Sequence, residues 1–133
     1  MIGAVYELSV HDEFCAAHAI WIRGERERLH GHNWRVNVVV AGPELDSDGL
    51  LCDFHVVDRS LASVIDPWRN GSLNDVAPFA PDGRGVNPTA ERVAETIARA
   101  LAAALSAALP PGASVRSVSV TEAPGCVATW RQG

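Results

Sequence analysis

The chain has 133 residues with 47% apolar and 20% charged side chains, which is typical of one soluble globular domain with a core of its own. Its formal net charge of −5 argues against a nucleic-acid partner, because phosphate binding depends on clustered arginine and lysine. We see no signal peptide and no apolar run long enough for a membrane span. Three cysteines are present without C-x-x-C spacing, which suits a reducing compartment. These features together predict one cytoplasmic domain over residues 1–133.

The first third of the chain predicts two long strands. Residues 4–17 contain β-forming side chains in loose alternation and predict a strand, with a bulge near His11 and Asp12. The charged residues 19–29 predict a solvated loop. Residues 30–41, "HGHNWRVNVVVA", place four apolar side chains on one face, and this period of two predicts a second strand.

The middle of the chain predicts a helix followed by a long loop. Residues 51–65 carry apolar side chains at helical spacing, and Asp53 is a suitable N-cap. Residues 66–86 are rich in proline, glycine, asparagine and aspartate, so they predict a loop of a length that is often functional.

The last third of the chain predicts a second helix and a hairpin. Asn87 as N-cap and Pro88 at the first helical position begin a helix that Pro110 and Pro111 end. Its apolar stripe consists of Val93, Ile97, Leu101, Leu105 and Leu109. The segment "SVRSVSVTEA" alternates as a strand, and "PGCVATWRQ" follows a Pro-Gly turn as its partner. The order β-β-α-α-β-β predicts an α+β fold, with an antiparallel sheet and two helices on one face.

Two histidines flank one glycine in "ERLHGHNW", at the start of the second strand. Residues two apart in a strand point to the same side, so His30 and His32 share a face and both imidazoles can reach one ion. His18 ends the first strand with matching parity and supplies a third imidazole if the two strands pair antiparallel. Three histidines without a cysteine are typical of a catalytic zinc site with an open position, although copper, nickel and iron also accept neutral imidazole.

The alternative is that the H-G-H motif is merely two polar residues at the start of a strand. His11 and His55 have no comparable partners in the sequence, and we interpret both as surface or helix-end residues.

Several motifs resemble those of the 6-pyruvoyl-tetrahydropterin synthase and 6-carboxy-tetrahydropterin synthase family. They are "FCAAHAIWIRGERERLHGHNWRVNVVV", "DGLLCDFHVV", "LND", "NPTAE" and "VTEAPGCVATW", in the family's order and across nearly the whole chain. The resemblance implies the tunnelling fold, in which β-β-α-α-β-β units form trimers that pair into hexamers, with active sites at subunit boundaries. It also implies that the substrate is a pterin.

The resemblance assigns the site residues one by one. The family's Zn²⁺ ligands fall on His18, His30 and His32. Its pterin-anchoring glutamate falls on Glu122, whose carboxylate can accept two parallel hydrogen bonds from a pterin. Thr89 and Glu91 fall in a helix-start motif near the family's pterin pocket, and the ordinary chemistry of a helix N-terminal turn explains them equally well.

The chain departs from the family's pattern at two proton-handling positions. The usual members carry a cysteine shortly before H-G-H, where this chain has Arg26, and we interpret Cys15, Cys52 and Cys126 as small buried side chains. The usual members also carry an Asp-His pair before "LND". Here Asp66 stands for the aspartate, and no histidine is present.

A third branch of the family resembles this chain in its motif E-x-L-H-G-H-N-[YW], which places Glu27 three residues before His30. Members of that branch release 6-hydroxymethyl-dihydropterin from dihydroneopterin triphosphate by cleaving the side chain. Glu27 would then be the base, while zinc would polarise the side-chain oxygens of the substrate. The alternative is that Glu27 belongs to a solvated charged loop with Arg26 and Arg28, or that these arginines meet a triphosphate.

Four functions are compatible with the sequence. The first is a zinc-dependent lyase or synthase acting on dihydroneopterin triphosphate, with Glu27 as base. The nearest alternative is a 6-carboxy- or 6-pyruvoyl-tetrahydropterin synthase with another proton relay. The third is a zinc-containing pterin- or purine-binding protein that has lost catalysis. The fourth is a relative acting on a non-pterin heterocycle or an aldehyde, because the long loop of residues 66–86 could reshape the pocket. Fold alone does not rank these functions.

Overall fold

Two long antiparallel strands form the centre of the fold. The computed structural model describes residues 5–79 and 85–133. Its strands and helices, in chain order, are β1 (Tyr6–His18), β2 (Trp21–Ile22), β3 (Glu25–Arg26), β4 (His30–Gly42), α1 (Phe54–Ile65), β5 (Gly71–Ser72), α2 (Ala90–Leu105), β6 (Ser114–Ala123) and β7 (Cys126–Arg131). Short 3-10 helices cover Asp66–Trp68 and Leu73–Asp75.

Five strands form the main sheet, in the order β5-β1-β4-β6-β7. Neighbouring strands pair antiparallel, except that the two-residue strand β5 runs parallel to β1 beside Ala16 and Ala17. α1 packs against β1, α2 packs against β6 and β7, and the two helices also contact each other. The predicted α+β fold, with its two helices covering the sheet, is therefore confirmed.

Both edges of this sheet are largely open within the described residues. β5 covers the outer side of β1 only at Ala16 and Ala17, and no described strand pairs with the outer side of β7. Such edges present unpaired backbone N–H and C=O groups, which are ready to pair with another strand.

The register of β1 against β4 is unbroken from Tyr6 opposite Gly42 to His18 opposite His30. The bulge predicted near His11 is therefore wrong, because that side chain simply takes its alternating place on the face of the sheet away from the helices. The irregularities lie elsewhere in the sheet, where the register shifts between Val39 and Val40 and again between Thr121 and Ala123.

The core lies between the helices and one face of the sheet. Its strand residues follow the period of two, except that the register shift changes the parity of β6 between Val115 and Val118: Val10, Phe14, Ala16, Trp34, Val36, Val38, Val40, Val115, Val118 and Val120. Its helix residues follow the helical period: Val57, Leu61, Ile65, Val93, Ile97, Leu101 and Leu105. Fully burying one large aliphatic side chain stabilises the fold by roughly 1.5–3 kcal/mol. Each strand and helix therefore turns its apolar face toward the core, and its period of two or 3.6 residues determines which residues lie on that face.

The helix ends agree with the predictions only in part. Asp53 caps α1 as predicted, since its side chain accepts a hydrogen bond from the backbone N–H of His55. The predicted N-cap Asn87 is wrong: Thr89 caps α2 by accepting from the backbone N–H of Arg92. α2 also ends before the prolines, at Leu105, where a serine side chain bonds back to a carbonyl of the last turn. No described helix is long and apolar enough to cross a membrane.

Two predicted loops contain short regular elements. The charged segment 19–29 forms the small hairpin of β2 and β3, with Trp21 opposite Arg26. In the second predicted loop, residues 66–79 contain the two 3-10 helices and β5, and residues 80–84 lie outside the described residues. Residue 4, where the first predicted strand begins, also lies outside them.

The cysteines differ from the prediction that all three are buried. Cys52 is buried, but Cys15 and Cys126 are exposed, and all three are free thiols. Cys15 has the parity of β1 side chains that point away from the helices, and Cys126 begins the edge strand β7. Burial raises the pKa of the Cys52 thiol, and the Asp53 carboxylate raises it further.

Candidate metal centre

Three histidines meet where β1 ends and β4 begins. His18 is the last residue of β1 and lies directly opposite His30, the first residue of β4, while His32 lies opposite Ala16. Their side chains share the helix-facing side of the sheet, so the pairing predicted from parity is what the register produces. The three ring centroids are 4.7–5.1 Å apart.

Backbone carbonyls orient two of these imidazoles. His18 Nδ1 lies 2.8 Å from the carbonyl oxygen of Pro88, and His30 Nδ1 lies 2.8 Å from that of Arg28. A ring N–H that donates to a carbonyl fixes the tautomer, so the other nitrogen, Nε2, carries the lone pair. This is the arrangement that metal-binding histidines need.

A carboxylate from the neighbouring strand completes the cluster. Glu122 on β6 places Oε1 2.8 Å from His18 Nε2 and 3.3 Å from His32 Nε2. Neither contact has hydrogen-bond geometry, and both nitrogens are buried without a partner among the described residues. Buried polar atoms without partners are costly, and here two of them face one point beside a carboxylate.

The local electrostatics favour neutral imidazole at this point. Burial lowers the pKa of His32, and the neighbouring rings of His18 and His30 add to the lowering, while Glu122 and Glu27 oppose it. A neutral histidine offers a lone pair to a metal, whereas a protonated one does not.

The donor set fits a divalent metal such as zinc. One ligand atom from each of His18, His30, His32 and Glu122 lies within 4.8 Å of all the others. Three imidazoles that share a site with a carboxylate or an open position are typical of catalytic metal centres.

Trp34 packs edge-on against His18 and His32, with ring centroids 4.8 and 5.5 Å apart, and its indole N–H donates to the Ala16 carbonyl. This buried indole ring is the apolar surface against which the two imidazoles pack.

Glu27 lies beside this cluster. Its Oε1 atom is 3.8 Å from His30 Nε2 and accepts a hydrogen bond of 3.1 Å from the backbone N–H of Ile20. The side chain is 31% exposed, so it can meet both solvent and a molecule bound at the histidines. The structure thus brings the predicted base to the predicted metal ligands.

Asp66 lies elsewhere on the chain. Its carboxylate is 2.7 Å from Arg69 Nε, and Arg69 also contacts Asp12 and the carbonyl of Glu13 in the middle of β1. Because β1 advances about 3.3 Å per residue, this network is well separated from His18 at the strand's end. Within one chain Asp66 does not join the cluster, and its catalytic role stays a prediction.

The two residues of the helix-start motif have different surroundings. The Thr89 hydroxyl is used as the N-cap of α2, which is the structural role that the sequence left open. Glu91 is exposed in the first turn of α2. It lines a cavity of about 360 Å³ together with Glu122 and residues at the start of β7. Two carboxylates thus border one space, and one of them, Glu122, also contacts His18 and His32.

Sequence reasoning missed the residues that hold the segment between β1 and Glu27. Asn74 and Asn87 each form two hydrogen bonds with the backbone of this segment. Their positions in "LND" and "NPTAE" were visible as motif matches, but no local pattern indicates partners 55 and 66 residues away.

One known protein family matches nearly the whole chain. Residues 7–133 match the family described as 6-pyruvoyl tetrahydropterin synthase. The 6-carboxy-5,6,7,8-tetrahydropterin synthase of Bacillus subtilis (strain 168) is 38% identical over 91 residues, which are 67% of this chain and 60% of that protein. The chain thus matches less than two thirds of the length of this curated relative.

Solved structures of low sequence identity share the fold. The 6-pyruvoyl tetrahydropterin synthase of Caenorhabditis elegans superposes with a TM-score of 0.79 at 21% identity, covering 98% of both chains. A catalytic-residue mutant of the Plasmodium vivax enzyme, in which alanine replaces a glutamate, gives a TM-score of 0.73 at 22% identity, covering 98% of this chain and 99% of that one. With the family match over nearly its whole length, the chain belongs to the 6-pyruvoyl tetrahydropterin synthase family.

Proposed function

We propose that this protein is a zinc-dependent lyase or synthase that acts on the side chain of a pterin, with dihydroneopterin triphosphate as substrate. The observation that carries the proposal is the convergence of three imidazoles and a carboxylate, with two buried ring nitrogens that have no partner among the described residues. Family membership supports pterin chemistry at this cluster.

His18, His30 and His32 would hold the metal, and Glu122 lies close enough to be a further ligand or to orient the substrate. When bound, zinc would supply Lewis-acid polarisation of the substrate's side-chain oxygens. Zinc is preferred because three histidines with a neighbouring carboxylate are typical of its catalytic sites, while copper, nickel and iron suit the same donors.

Glu27 is the proposed general base. Its carboxylate lies 3.8 Å from the His30 ring, so it can accept the proton of a substrate hydroxyl held at the histidines. That hydroxyl then becomes a carbonyl as the adjacent carbon–carbon bond breaks, and the electron pair of this bond stays on the pterin-side carbon, which takes up a proton. The Plasmodium vivax relative is described with a glutamate as catalytic residue, and a glutamate base is therefore compatible with this fold.

Glu91 and Glu122 are the proposed pterin-binding carboxylates, with Thr89 shaping the helix start beside them. The cavity of about 360 Å³ that both glutamates line would receive the amino group and ring N–H of the pterin, each of which can donate to a carboxylate oxygen. The predicted role of Asp66 in proton handling requires a second copy of the chain, because its own cluster lies too far along β1.

Assembly of several copies is part of this proposal. The open outer sides of β1 and β7 suit pairing between copies, in keeping with the trimers or hexamers that the family resemblance implies. We also propose a cytoplasmic location, which is supported by three free thiols without a disulfide.

A second candidate function has a specific observation in its favour. The Bacillus subtilis relative, 38% identical over the matched segment, is a 6-carboxy-5,6,7,8-tetrahydropterin synthase. Because this chain has arginine where such members are expected to carry the cysteine base, that product would require another proton relay. A pterin-binding protein without turnover is the third possibility.

Product analysis separates these functions. Zinc-loaded protein is incubated with dihydroneopterin triphosphate, and the products are identified by mass spectrometry. The same assay is run on Glu27→Gln and on the matched control Glu25→Gln, an exposed glutamate of β3 two residues earlier. We expect 6-hydroxymethyl-dihydropterin from the parent chain and the control, with kcat lowered about 10²- to 10⁴-fold in Glu27→Gln.

A carboxy or pyruvoyl product would instead assign the chain to the neighbouring activity. Bound zinc and bound pterin without any product would contradict the enzymatic proposal and favour a binding role.

A further inference from the structure

The three residues that leave β1 are held from one side by two asparagine side chains. Asn74 Oδ1 accepts from the Ala19 backbone N–H at 2.8 Å, and its Nδ2 donates to the Ala19 carbonyl at 2.7 Å. Asn87 forms the same pair of bonds with Trp21, at 2.9 Å each. Each carboxamide thus offers the donor and acceptor that a residue of a neighbouring strand would offer.

Glu27 holds the same segment from the other side. The Ile20 backbone N–H donates to Glu27 Oε1 at 3.1 Å, and the Ile20 carbonyl accepts from the Glu27 backbone N–H at 3.0 Å. Successive residues of an extended chain direct their backbone groups to opposite sides, so Ala19 and Trp21 turn toward the asparagines while Ile20 turns toward Glu27. The backbone of all three residues is satisfied, and the glutamate is tied to the middle one.

The asparagines do not contact the metal ligands through these bonds. Their four hydrogen bonds end on the backbone of Ala19 and Trp21, whereas His18 is oriented by the carbonyl of Pro88, the residue after Asn87. A backbone hydrogen bond of 2.8 Å from the Thr89 N–H to the Asn87 carbonyl holds this turn without the Asn87 side chain. Removing an asparagine should therefore loosen Glu27 more than it disturbs the three imidazoles.

From this geometry we propose that Asn74 and Asn87 are positioning residues that fix the carboxylate of Glu27 beside the His30 ring. Asn74 reaches the segment from the 3-10 helix after β5, and Asn87 reaches it from the residues just before α2. Two distant parts of the chain thus set the location of one side chain. The effect on turnover rests on the proposed function, but the effect on the backbone does not.

The main variant is Asn87→Ala, because this side chain is only partly buried. Asn74 is 6% exposed, so Asn74→Asp is the second variant: it keeps the shape and the acceptor for the Ala19 N–H, but its second carboxylate oxygen cannot donate to the Ala19 carbonyl and repels it. The matched control is Asn37→Ala on the outward face of β4, where the side-chain oxygen has no hydrogen-bond partner among the described residues.

Three quantities are measured on the zinc-loaded full chain: amide hydrogen exchange at Ile20 and Glu27, zinc affinity by chelator competition, and kcat and KM. In Asn87→Ala we expect exchange at both amides to rise about tenfold, with zinc affinity within about threefold of the parent chain. We expect kcat to fall by about tenfold or more while KM changes little, because a displaced base affects the chemical step. Asn37→Ala should leave all three unchanged.

Unchanged exchange at Ile20 and Glu27 in both asparagine variants would overturn the proposal. A parallel loss of zinc affinity and kcat would also overturn it, because it would show that the asparagines support the histidines. If exchange rises as expected and the parent chain has no turnover, the positioning role stands and the proposed function fails.

Discussion

Two clusters of charged and polar side chains lie along the same strand, and they differ in one respect. In the middle of β1, Arg69 binds Asp66, Asp12 and a backbone carbonyl, so its donors have partners. At the end of β1, two buried ring nitrogens of the histidine cluster have no partner among the residues described. The first cluster pairs its polar groups within the chain, whereas the second leaves two ring nitrogens free for the metal that we propose.

This difference distinguishes structural groups from functional ones. A charge network whose groups all have partners within the chain needs no ligand. Here the network of Arg69 connects the residues after α1 to β1. Buried donors or acceptors that are held together without partners indicate a binding site, because leaving them unpaired is unfavourable. The comparison can be tested by perturbing each cluster in turn.

The largest expected effect is the stabilisation of the chain by zinc. Metal that binds only the folded state at about 1,000 times its Kd adds about 4 kcal/mol to the free energy of unfolding, which raises Tm by roughly 10–20 °C for a chain of this size. Thermal unfolding of chelator-treated protein with and without zinc measures it, and magnesium, which prefers oxygen ligands, serves as the control. An equal shift with magnesium would contradict the assignment.

The next effect is the loss of metal binding in His32→Ala. Outer-sphere partners of metal ligands are worth about 10- to 100-fold in affinity, so removing a ligand should weaken zinc binding by more than about 100-fold. Chelator competition measures the affinity, and His11→Ala, on the outward face of β1, is the matched control. If His32→Ala binds zinc as tightly as His11→Ala does, the three-histidine centre is wrong.

A smaller effect is expected from Arg69→Met, which breaks the self-satisfied cluster. The loss of two ion pairs and one hydrogen bond to a carbonyl should lower the free energy of unfolding by about 1–2 kcal/mol, because the guanidinium is partly exposed. Denaturant unfolding measures this, and part of the difference should disappear at high salt. Zinc affinity should stay unchanged, and a fall in it would show that the two clusters are coupled.

The smallest effect is expected from Asp66→Asn. Its ion pair with Arg69 is exposed, so the free energy of unfolding should fall by less than about 1 kcal/mol, with kcat unaffected. This variant decides between the ion pair and the catalytic role predicted for Asp66 from the family pattern. A large drop in kcat at normal stability would favour the catalytic role and a site shared between copies of the chain.

Local patterns were sufficient to predict the four longer strands, β1, β4, β6 and β7, and the approach of the three histidines. The period of two in β1 and β4 fixes the parity of His18, His30 and His32, and antiparallel pairing then brings them together. These predictions succeeded because they depend on neighbours in one strand and on one pairing.

Predictions that depend on distant partners failed or could not be made. Asn87 has the side chain of a good N-cap, but its carboxamide bonds to Trp21, 66 residues away, and Thr89 caps α2 instead. The contact between Glu122 and the imidazoles required knowing that β6 lies next to β4. The exposure of Cys15 likewise depends on which face of the sheet the helices cover.

The open outer sides of β1 and β7 have a consequence for how this protein must be handled. If copies of the chain pair along these edges, the folded state is stabilised by mass action, and its free energy of unfolding depends on the protein concentration. Melting temperatures measured at different concentrations would then differ without any change in sequence or solvent. Dilution would act on this protein in the same direction as a denaturant.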